Sequence, residues 1–111
     1  MTIEALWAVN FSTPLGFSGS GVAVFETGHI FGGDSLYYYI GDYVLNGDTV
    51  RGKAEVIHYS GPPWNTFGPI ERVILQYEGQ IQGDTIQTIG IDPANPERQV
   101  TMKFRRLANL P

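Results

Sequence analysis

The side chains able to do chemistry are few in this 111-residue sequence, and their neighbours limit what they can do. Its two histidines, His29 and His58, have no cysteine to join them, so a transition-metal site would lack the thiolate and imidazole ligands such ions select. No metal and no cofactor is expected. Asp34 stands beside Ser35, but a serine nucleophile needs a base that takes its proton, and a carboxylate alone does not complete a triad. Asp34 is expected to cap a turn instead. Gly19-Ser20-Gly21 is followed by no helix whose N-terminus would hold a phosphate. Paired carboxylates for acid–base work would have to point inward, whereas Glu55, Glu78 and Asp42 fall on the wet face of the strands they occupy. No catalytic residue is assigned, and the chain is expected not to be an enzyme.

Composition narrows the partners. Seven basic against eleven acidic residues give a formal charge of −4, the wrong sign for a surface that must neutralise a phosphate backbone, so direct nucleic-acid binding is not expected. With 42% hydrophobic and only 16% charged residues, the chain is too apolar to remain disordered and is of a length for one domain spanning residues 1–111. The start, Met1-Thr2-Ile3-Glu4, has no basic, apolar leader. No apolar stretch nears the roughly 20 residues of a membrane helix. The expectation is a cytoplasmic protein that does not enter a membrane.

Positioning falls to strands. Fourteen glycines and seven prolines divide runs rich in Val, Ile, Thr, Tyr and Phe, a pattern that breaks helices and suits a pleated sheet. Eight runs stand out: Ala5–Ser12, Gly21–Glu26, His29–Gly33, Leu36–Leu45, Thr49–Tyr59, Glu71–Gln82, Thr85–Ile91 and Gln99–Leu107. Thr27-Gly28, Asn46-Gly47-Asp48 and Gly83-Asp84 are short enough to force antiparallel neighbours and supply the positive φ that hairpins need. The expected fold is all-β: an eight-stranded, antiparallel, mostly up-and-down, lipocalin-like β-barrel, with a two-sheet sandwich as the alternative.

Register separates inside from outside. A two-residue turn at Gly83-Asp84 sets Ile81 opposite Ile86, Gly79 opposite Thr88 and Tyr77 opposite Gly90, an apolar and aromatic face. In the preceding hairpin Tyr37, Tyr39, Gly41 and Tyr43 share a face with Gly52, Ala54, Val56 and His58, while Arg51, Lys53 and Glu55 take the other. Tyr39 and Tyr43 are expected to oppose Ala54 and Gly52, large against small, as a narrow barrel requires. Eight strands lie near the limit at which side chains fill a lumen or leave room for one small molecule. So many bulky rings favour a filled one. If a ligand binds, the expected site residues are Tyr37, Tyr39, Tyr43, His58, Trp64 and Phe67. The last two belong to the loop Ser60-Gly-Pro-Pro-Trp64-Asn-Thr-Phe67-Gly-Pro69, expected to plug the barrel mouth. Outward, Leu36, Tyr38 and Ile40 alternate on one strand and Ile57 and Tyr59 on its neighbour, an apolar area expected to serve as a homodimer interface.

Gly19, Gly21, Gly28, Ile30, Gly32-Gly33-Asp34 and Gly41 stand in an order and spacing that resembles the GrlR family, small bacterial barrels typified by a negative regulator of type III secretion genes. The resemblance implies a one-domain, commonly dimeric barrel that regulates by holding a protein partner and has no catalytic activity. The family's founding members hold that partner through an acidic Glu-Asp-Glu-Asp stretch; here the place reads Leu45-Asn46-Gly47-Asp48, which keeps only Asp48. Two functions are therefore expected: a regulatory or adaptor barrel that binds a protein, or a carrier or sensor of a small apolar or aromatic ligand in the lumen. The state of the lumen separates them.

Overall fold

The computed structural model describes residues 2–14, 16, 18–63 and 69–111. Nine strands follow in order: β1 (Ala5–Ser12), β2 (Ser18–Glu26), β3 (His29–Gly33), β4 (Tyr37–Asp42), β5 (Val44–Asn46), β6 (Thr49–His58), β7 (Arg72–Gln82), β8 (Thr85–Asp92) and β9 (Asn95–Asn109). Every pairing is antiparallel, and the order β4-β3-β2-β1-β9-β8-β7-β6 closes on itself through β4 and β6. The result is the expected closed eight-stranded barrel with one additional short strand, β5. Closure pairs the edges that an open sheet would expose. No helix among the described residues is long and apolar enough to cross a membrane.

The hairpin turns follow their residue types. Thr27 and Gly28 both have positive φ, 53° and 82°, as a type I′ turn demands. A β-branched residue resists that conformation, and here the Thr27 N–H donates to the Glu4 carboxylate at 2.7 Å. Gly47 and Gly83 lead two further tight turns at φ 61° and 62°.

Register around Gly83-Asp84 is as expected, with Ile81 opposite Ile86, Gly79 opposite Thr88 and Tyr77 opposite Gly90. The run Leu36–Leu45 behaves differently. It divides at Tyr43: the Tyr43 N–H donates to Gly28 O at 2.9 Å in continuation of the β3 register, while on the other side the Asp42 carboxylate accepts the Lys53 N–H at 3.1 Å, and β4 and β5 pair separately with β6. A turn centred on Gly47-Asp48 sets Tyr39 opposite Val56 and Gly41 opposite Ala54, which corrects the expected opposition of Tyr39 and Ala54. Gly52 does lie against Tyr43: a Cβ there would stand 2.0 Å from Asp42 O and 3.0 Å from Tyr43 Cα. The break in the strand thus needs a residue without a side chain on β6.

One half of the interior is solid. Phe25 packs against Trp7, Tyr43 and Phe104 with ring centroids 6.1, 5.3 and 5.4 Å away, and all four are buried. Arg106 lies 5.0 Å over the Trp7 ring, while the indole N–H donates to Ile3 O at 2.9 Å. These contacts close that end of the barrel with aromatic bulk.

Candidate functional site

Toward the other end a cavity of about 340 Å³ remains, walled chiefly by aliphatic and aromatic side chains, Val9, Val56, Val73, Val100, Phe11 and Tyr39 among them. The expectation of a filled lumen is thereby corrected: rings fill one half, and the other is open among the described residues. Gly21 admits Tyr39 to this wall, for a Cβ at that position would stand 2.7 Å from the Tyr39 hydroxyl.

Asp34 organises the rim. Its Oδ1 accepts the backbone N–H groups of Leu36 and Tyr37, both at 2.8 Å, the turn-capping role its position suggested. Its Oδ2 accepts the Tyr39 hydroxyl, its carbonyl accepts the Tyr59 hydroxyl at 2.6 Å, and its N–H donates to Tyr37 O at 2.9 Å. A single carboxylate therefore fixes the start of β4 and one tyrosine of the cavity wall. Tyr37 donates its phenol proton to Ile70 O, and Tyr77 donates to Asp42 O at 2.8 Å. Burial, foremost, raises the pKa of all three phenols; the hydrogen bond and charge of Asp34 add to it at Tyr39, and the charges of Asp34 and Glu71 at Tyr37.

The residues expected at a ligand site divide. Tyr37 and Tyr39 line the cavity. Tyr43 lies in the packed half against Phe25. His58 is not in the cavity wall; its ring meets Tyr37 edge-on at 5.6 Å, and its Nε2 lies 2.5 Å from Gly61 O. A carbonyl only accepts, so that nitrogen carries the proton. His29 is exposed. Trp64 and Phe67, with the plug assigned to them, lie outside the described residues. Tyr77, Leu75 and Met102 also line the cavity; the inward register of Tyr77 was legible, but not that it sits beside open space.

The outer face carries the residues expected at an interface, though not equally. Tyr38, Ile40 and Tyr59 are 41%, 52% and 56% exposed, and the Tyr38 and Tyr59 rings stand 6.2 Å apart. Ile57 is half-buried opposite Tyr38. Leu36 turns to the cavity rim. Phe31, opposite Ile40 on β3, and Val22, opposite Gly33 on β2, extend the exposed apolar surface beyond the hairpin read from sequence. Among the described residues, no cluster of three or more His, Cys, Asp or Glu side chains could hold a metal ion.

No protein-family model matches this sequence, and no curated protein matches it.

Proposed function

We propose that this chain is a non-catalytic binding barrel whose lumen takes one small apolar or aromatic molecule. The cavity carries this reading: 340 Å³ of largely apolar, partly enclosed space is in the range of small-molecule sites, where a few placed polar groups orient a mostly apolar ligand. Tyr37 and Tyr39 are those groups. Among the described residues, no nucleophile in the wall is joined to a base, and the reading is therefore a carrier or sensor.

A second reading rests on a different observation, the exposed apolar surface of Val22, Phe31, Tyr38, Ile40 and Tyr59. Such a surface suits a protein contact: a second copy of this chain in a homodimer, or the regulatory partner that the GrlR resemblance implies. The loss of the acidic stretch at Leu45-Asn46-Gly47-Asp48 weighs against that family's own partner. Native mass spectrometry of protein purified from its own host compares the readings. A small-molecule adduct supports the carrier or sensor. A co-purifying protein on a barrel that carries no small molecule contradicts it and favours the adaptor.

A further inference from the structure

The hydrogen-bonding inventory of the cavity limits what can enter it. A tyrosine hydroxyl has one proton to give, and each phenol in the wall has already given it. Tyr39 donates to Asp34, Tyr37 to Ile70 O and Tyr77 to Asp42 O. What each phenol still offers is an oxygen lone pair. Among the described residues the only charged side chain in the wall is the Asp34 carboxylate, and none of the seven lysines and arginines lines it. The remaining side-chain donors are the hydroxyls of Ser18, Ser20 and Ser35, neutral and exposed at the rim. Among the described residues the lumen is therefore a set of acceptors in an apolar wall with negative charge at its mouth.

Resting on the reading of the lumen as a ligand site, we propose that it is selective for neutral molecules carrying a hydrogen-bond donor, alcohols and phenols, and rejects the carboxylates of the same skeleton. An alcohol can donate to a phenol oxygen or to the free lone pair of Asp34. A carboxylate finds no cation and no phenol proton among the described residues, approaches another carboxylate, and can exchange its water for no more than the neutral serine hydroxyls at the rim, so its charge goes uncompensated. Size fits the same class. At roughly 30 Å³ per water in the liquid, the 340 Å³ cavity corresponds to about eleven waters, so a ligand of about a dozen heavy atoms fills it.

Decanol against decanoate and naphthol against naphthoate, each titrated into the full chain at neutral pH and read by calorimetry, test this. The expected result is that each neutral compound binds at least about tenfold more tightly than its anion. Asp34→Asn removes the charge while keeping an acceptor for the Leu36 and Tyr37 N–H groups, and should narrow the gap; should that variant fail to fold, the wild-type pairs decide alone. Equal binding within both pairs, or preference for the anions, overturns the selectivity while leaving the lumen as a ligand site. Binding of none of the four overturns both.

Discussion

Tyr39 and Asp34 show at the scale of single residues how a polar atom is kept inside an apolar wall. The phenol proton goes to a carboxylate already held by two backbone N–H groups, so neither partner is left unpaired, the situation that costs most in a core. The pKa of Tyr37, Tyr39 and Tyr77 is raised in the folded chain, chiefly by burial. The linkage has a definite sign. A folded pKa above the unfolded value means that the folded state holds the proton more tightly, so the stabilisation is complete below about pH 10 and is lost as pH rises through the folded value. The tyrosine contribution to the free energy of unfolding should be constant up to about pH 10 and fall above it, and these three phenols should gain their tyrosinate absorbance only as the barrel unfolds. Full ionisation of all the tyrosines near pH 10 in a still-folded chain contradicts this.

At the scale of elements, much was legible because hairpin register is set by turn chemistry. Gly83-Asp84 fixed every pair of β7 and β8, and the inward positions of β4 and β6 followed from alternation. The division of one expected strand at Tyr43 was not legible. At the break the Asp42 carboxylate takes the Lys53 N–H and Asp42 O takes the Tyr77 hydroxyl, partners that local sequence does not identify. Nor could the sequence choose between turns centred on Asn46-Gly47 and on Gly47-Asp48, and that choice moved Tyr39 from Ala54 to Val56. Gly52 is where the break is most sensitive. Gly52→Val drives a side chain into Asp42 O and Tyr43 Cα, and it should cost about 1–3 kcal/mol or more, seen as a lower urea midpoint. An unchanged midpoint would show that β5 and β6 are not held this closely.

For the whole molecule, the contrast is between one packed and one open half. The residue types needed to foresee it were in view, but only the order of inward residues around the closed barrel shows that Trp7, Phe25 and Tyr43 pack together outside the cavity while Phe104 lies between them and the open space. The outer surface was legible only in part, because Phe31 joins it through the pairing of β3 with β4, whose register no tight turn fixed. Burying such a surface against a second copy would recover roughly 1.5–3 kcal/mol per fully buried aliphatic side chain before the costs of association. Ile40→Glu should convert a homodimer to a folded monomer in sedimentation. A wild-type monomer at tens of micromolar, or a mutant that remains dimeric, excludes that interface. The open half is the central claim, and methyl-resolved NMR of the chain titrated with decanol tests it most directly. Saturable shifts should appear at Val9, Leu75, Val100 and Met102 and leave the methyls of Val50 and Ile86, buried outside the cavity wall, in place. Shifts confined to outer residues such as Ile40 and Val44, or none at any concentration, would contradict a lumen that binds.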